Sequence, residues 1–203
     1  MSLLGKVTEK PWERAGRVDT PGDDAVIRPP GKTGLYLFLA VISSMFLLFS
    51  VTHQMRMFYP DWKVVAEPGI LWVNTVMLVL ASVAMHVAVG AARGDASLRL
   101  RVGLAAATLL TLFFIAGQFA AWREMLAGGY YASGSPAYAF FYLFTGIHAL
   151  HLVGGLWFLG RALVTTLRTP DDERLPLRVS LCATYWHYLL GVWLLLFYLL
   201  LTS

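Results

Sequence analysis

Four histidines, His86, His148, His151 and His187, stand in apolar surroundings and could do chemistry there. An imidazole ligates haem or a transition metal, relays a proton, or bonds a carbonyl or hydroxyl of a neighbouring helix. His148 and His151 are three residues apart, so a helix places them on one face, with Thr145 one turn before and Gly154 and Gly155 just after. His187 follows Trp186 directly. The stretches around these histidines contain no Asp or Glu, so no carboxylate is at hand to orient a metal-bound imidazole or to carry a proton. Cys182 is the one cysteine, which excludes an internal disulfide and a thiolate cluster; a small apolar role in a helix is expected of it.

The elements that must hold these residues are long apolar runs, at about 34–54, 70–92, 102–122, 139–160 and 179–202. Each reaches the roughly 20 residues that cross a hydrocarbon core of about 30 Å, twice the length of a membrane-barrel strand. The chain is 58% hydrophobic and 14% charged, well below the charged quarter of a soluble domain. The expected fold is all-α: a polytopic bundle of five transmembrane helices in one membrane domain, 34–203. Residues 1–33 are polar, of mixed charge, and contain Pro11, Pro21, Pro29 and Pro30. They lack the apolar core of a signal peptide and read as a peripheral cytoplasmic arm.

Thirteen of the sixteen lysines and arginines fall in the arm and in the second and fourth connections. The positive-inside rule therefore predicts a cytoplasmic N-terminus and an external C-terminus. The same rule explains the net charge of +4 without a nucleic-acid partner. No nucleotide-binding glycine motif occurs, and five spans do not divide into the two inverted halves of many secondary transporters. The first and third connections are rich in Tyr, Trp, Pro and Gly and read as turns at the membrane surface.

Depth along the spans decides between the possible uses of the histidines. Counting at about 1.5 Å per residue puts His86, His151 and His187 roughly 9 to 14 Å from the cytoplasmic face, with His148 one turn nearer the outer leaflet. A shared level on three helices is what a haem or metal would need. The missing carboxylates favour a structural polar cluster instead, made of His86, Thr145, His148, His151, Trp186 and His187, with imidazoles bonding across to neighbouring spans. No catalytic, cofactor-binding or metal-ligating residue is assigned. Asn74, Thr75 and Gln118 are expected to cap or join helices, and Ser43 and Ser44 to serve as small packing residues. Arg93, Arg99, Arg101, Arg161 and Arg178, near cytoplasmic helix ends, are candidates for phospholipid headgroups as well as snorkelling anchors.

Two long motifs, FFYLFTGIHALHLVGG from Phe140 to Gly155 and YWHYLLGVWLLLFYLL from Tyr185 to Leu200, resemble subunit III of the haem-copper terminal oxidases. Trp72, Asn74 and Thr75, and the Gly117–Gln118 pair, add weaker support. The resemblance covers 34–203 and is to the short five-helix prokaryotic form. It implies a subunit without haem or copper of its own, packed against the catalytic subunit I that holds those metals, with bound phospholipid, in a prokaryotic plasma membrane. Stabilisation of the catalytic subunit is the role it implies. Two departures stand out. Family members usually carry a Glu after the paired serines of the first span and an Asp three residues after the Trp-His pair; this chain has Met45 and Leu190 there. No proton-carrying role transfers to those positions. Related readings are subunit III of a quinol oxidase and the subunit III-like protein of nitric oxide reductases. From other classes come a small stand-alone channel or transporter and a b-type cytochrome anchor.

Overall fold

The computed structural model describes residues 30–64, 68–94, 97–168 and 174–202, so most of the sequence-predicted N-terminal arm lies outside the described residues. Five helices account for nearly all of it: α1 (Pro30–Arg56), α2 (Ile70–Ala92), α3 (Ser97–Ala127), α4 (Pro136–Arg168) and α5 (Leu175–Leu201). All five are long and apolar enough to cross a membrane. A helix suits these sequences because every interior N–H and C=O is satisfied within its own segment, which a lipid environment demands. At 31 and 33 residues, α3 and α4 outrun the apolar stretches within them and carry polar turns past the hydrocarbon core.

Helix α5 sits at the middle of the bundle, against α1, α2 and α4, while α3 packs on α2 and α4. Helices α2 to α5 thus form a closed ring, and α1 leans across α5 and brushes α4. The tightest pairing is α2 with α3. Ala81, Ala88 and Ala91 on α2 and Gly103, Ala107 and Ala121 on α3 are all buried, and Gly103 faces Ala84 and Ala88. A Cβ at Gly103 would lie 3.0 Å from the Ala88 Cβ and 3.1 Å from the Ala84 carbonyl oxygen, so the backbones are as close as small residues allow.

The outside of the bundle is apolar. Leu37, Val41, Leu150, Trp157 and Phe158 are each between 66% and 68% exposed, the reverse of a soluble fold and the surface a membrane protein presents to lipid or to other subunits.

The turns between helices are chemically specified. Helix α3 ends in a Schellman motif: Tyr130 N–H donates to the Met125 carbonyl (3.0 Å), Gly129 N–H to that of Leu126 (3.1 Å), and Gly129 takes φ 81°, which favours glycine. Ser135 caps the start of α4, accepting from Ala137 N–H (3.4 Å), with Pro136 at the first helical position. The same Ser135 Oγ accepts from Lys63 N–H (3.2 Å) and donates to the Asp61 carbonyl (3.3 Å), tying the α1–α2 connection to the α3–α4 connection. Trp62, in the first connection, folds onto the end of the bundle beside His53 and Phe140.

Candidate functional site

Polar side chains join the helices one pair at a time. On α5, Trp193 Nε1 donates to Thr75 Oγ1 of α2 (2.9 Å), and Trp186 Nε1 to Thr111 Oγ1 of α3 (3.2 Å). On α3, Trp122 Nε1 donates to Thr145 Oγ1 of α4 (2.9 Å). Tyr185 Oη of α5 donates to the His151 carbonyl of α4 (3.0 Å), and Ser43 of α1 shares a 2.9 Å hydrogen bond with Tyr188 Oη. Each threonine also donates to the carbonyl four residues back in its own helix, leaving its oxygen lone pairs for the tryptophan. The indole N–H groups therefore act as cross-ties between helices that dispersion alone would leave free to slide.

The histidines do not form one level of cross-helix hydrogen bonds. His148 is fully buried on α4, yet neither ring nitrogen has a partner among the described residues. Its contacts are aromatic: the ring lies 5.8 Å from that of Phe114 and 5.2 Å from that of Trp193. His151 bonds its own helix, Nδ1 to the Ile147 carbonyl at 2.8 Å, and packs beside Phe46. His86 and His187 do come together, with ring centroids 6.2 Å apart, and Ser82 of α2 is hydrogen-bonded to His187 Nδ1. Both of these histidines are exposed on the outer surface of the bundle. Of the six residues of the expected polar cluster, His86 and His187 thus meet at the surface, while His148 and His151 are engaged elsewhere, among rings and on their own helix. The described residues contain no group of three or more His, Cys, Asp or Glu that could hold a metal ion.

Gln118 departs from its expected role as a joint between helices, because both of its amide atoms are buried without a partner among the described residues. Asn74 is buried against Gly117, where a Cβ would stand 2.0 Å from the Asn74 Oδ1. Met45 and Leu190 lie half-buried against the apolar core.

A cavity of about 730 Å³ opens between α1, α4 and α5. Leu35, Phe38, Phe158 and Leu181 supply apolar walls, with Arg161 about two turns before the end of α4 and Arg178 in the first turn of α5. It exists because α1 crosses the α4–α5 pair without meshing with it. The combination of a long apolar slot and two guanidinium groups suits an amphiphile with an anionic head. Of the other candidate arginines, Arg93 and Arg99 are exposed at the α2–α3 turn, and Arg101 is partly buried with its Nε unpartnered among the described residues.

The profile of the family described as Cytochrome c oxidase subunit III matches residues 32–202, all five helices. The chain belongs to that family. Among relatives, the cytochrome c oxidase subunit 3 of Synechocystis sp. is 28% identical over 172 residues, covering 82% of this chain and 72% of the relative. The probable cytochrome c oxidase subunit 3 of Mycobacterium tuberculosis is 33% identical over 126 residues, 61% of each chain. That of Thermostichus vulcanus is 28% identical over 174 residues, 82% of this chain and 84% of the relative. For a subunit III family member, the cross-ties and the apolar cavity are the features to explain.

Two parts of this arrangement were not anticipated from the sequence. His53, at the end of α1, is 1% exposed inside a cage of Trp62, Phe140 and Phe144 rings, 5.1 to 5.5 Å away. Ser82 as the partner of His187 was also missed. Its position one turn before His86 was the available signal.

Proposed function

We propose that this chain is the non-catalytic subunit III of a haem-copper terminal oxidase of the cytochrome c oxidase type. It stabilises the catalytic subunit, which holds the haem and copper, and it carries phospholipid in the cavity between α1, α4 and α5. The observation that carries the lipid role is that cavity, apolar along its length and bounded by Arg161 and Arg178. An acyl chain fills the slot, and the phosphate of its headgroup meets the two arginines at the membrane surface. Arg93, Arg99 and Arg101 mark the same surface at the α2–α3 turn. The charge distribution supports a cytoplasmic N-terminus, a polar arm over 1–33 on that side and an external C-terminus; the resemblance to the short five-helix form supports a prokaryotic plasma membrane as the location. His86, Thr145, His148, His151, Trp186 and His187 serve structure and assembly in this reading, and electrons pass elsewhere.

The test is to purify the tagged chain from its native membranes in mild detergent and record both the reduced-minus-oxidised spectrum and the lipid content. The reading expects haem bands from a partner subunit and phospholipid that survives washing. A particle with the chain but no haem would overturn it.

A further inference from the structure

Two imidazoles on the outside of a membrane bundle need an explanation, because a polar ring facing acyl chains forfeits the hydrogen bonds it makes in water. His86 of α2 and His187 of α5 both lie within their spans, both are exposed, and their ring centroids are 6.2 Å apart. The hydrogen bond between Ser82 and His187 Nδ1 fixes that ring, so that Nε2 is left as its outward polar atom. His187 is therefore held by the bundle, and the exposed ring of His86 lies beside it. The remaining histidines of the spans contrast with this pair: His53 and His148 are buried among rings, and His151 is turned back onto its own helix.

The surface around the pair is shallow. Gly90 stands one turn after His86 on α2, and Gly191 one turn after His187 on α5, both exposed. Among the described residues, a Cβ at either glycine meets nothing within 4 Å. Neither glycine is required for packing within this bundle, unlike Gly103 or Gly155. Because α2 and α5 run in opposite directions, one glycine lies to each side of the histidine pair along the seam. Small residues flanking polar ones are how helices approach closely and hydrogen-bond inside a membrane.

We propose that the α2–α5 seam centred on His86 and His187 is the docking site for a transmembrane helix of another subunit, which crosses between Gly90 and Gly191 and presents a hydroxyl, amide or carboxyl side chain to the imidazoles. The proposal rests on the subunit reading above and adds to it the face through which the complex is joined. Lipid does not satisfy the site, since acyl chains at this depth offer neither donors nor acceptors.

The experiment uses the intact complex. A photo-crosslinking benzoylphenylalanine is placed at Val83, exposed beside the pair on α2, and at Leu150, exposed on α4, in cells producing the native oxidase. Illumination is expected to join the Val83 variant to another membrane subunit and to leave the Leu150 variant without that product. In parallel, the double variant His86→Leu and His187→Leu should be retained on the haem-bearing complex about tenfold less after detergent washing, from the loss of interhelical hydrogen bonds. Its level in the membrane should fall little, because both side chains are exposed and, among the described residues, the Ser82 hydrogen bond is the one between helices lost with them. Gly191→Leu gives the same loss by bulk alone. If the wild-type chain travels with haem but Val83 yields only lipid adducts or a second copy of this chain, the docking face is overturned and the subunit reading stands. Undiminished retention of both the double histidine variant and Gly191→Leu overturns it equally. A wild-type chain that never travels with haem overturns both.

Discussion

Helices α2 and α3 pack so closely that a single added methyl at Gly103 would crowd a backbone carbonyl, whereas α1 crosses α4 and α5 and leaves about 730 Å³ between them. The same bundle is thus dense on one side and open on the other, and the residues account for both. Alanine and glycine recur at helical spacing along the α2–α3 contact, letting the two backbones approach without loss of rotamer freedom. Across the opening, Phe38, Phe158 and Leu181 hold the helices apart, and Tyr188 reaches across to Ser43 as a strut. A dense seam fixes geometry, and an open one leaves room for the phospholipid proposed above.

The strongest way to break this contrast is to add bulk on each side in turn. Gly103→Leu should destabilise the bundle by about 3 kcal/mol, the upper range for overpacking, seen as a large fall in the thermal midpoint in detergent. Gly154→Leu, which projects into the cavity where a Cβ meets nothing within 4 Å, should cost less than about 0.5 kcal/mol while displacing bound phospholipid. Equal losses of stability at the two glycines would show that the two sides are packed alike.

The next effect concerns the ligand. Replacing Arg161 or Arg178 by Gln should lower the retention of anionic phospholipid about fivefold for each, from about 1 kcal/mol per basic side chain near a membrane surface. Native mass spectrometry of the washed protein reads it. Arg99→Gln, away from the cavity, is the control.

The cross-ties come third. Trp193→Phe removes the donor to Thr75 while keeping the ring near Phe114 and Phe197, and should cost about 0.6 to 1.5 kcal/mol. The smallest effect is expected at His148. Its nitrogens have no described partner, so His148→Leu should change stability by less than about 1 kcal/mol, or raise it. A loss of several kcal/mol there would mean that His148 holds a hydrogen bond in the assembled complex that the isolated bundle does not display.

The five helices were legible because apolar runs of about 20 residues leave the backbone few other options in lipid. Their ends were less so, since α3 and α4 continue through polar turns that hydropathy ignores, with Glu124 and Arg123 still helical. The site was legible by residue type but not by arrangement. Counting rises along each span brings His86 and His187 to one level, and they do meet, but the count says nothing about rotation about the helix axis. Rotation is what separates His151 from that pair and sends His148 into a nest of rings. The tryptophan–threonine ties were hidden for the same reason: Thr75, Thr111 and Thr145 are unremarkable in sequence until α5 and α3 set an indole N–H opposite each. The cavity depends on the crossing of α1, a property of three helices at once that no single stretch encodes.

The central claim is that this chain supports a catalytic subunit and does no redox chemistry itself. Its most direct test is an absorption spectrum of two preparations from the same native membranes, one purified in mild detergent and one stripped to the single chain. The account predicts reduced haem bands in the first and none in the second, with the chain and a haem-copper catalytic subunit in equal amounts in the first. Haem bands that stay with the stripped chain, or a native particle that lacks them, would contradict it.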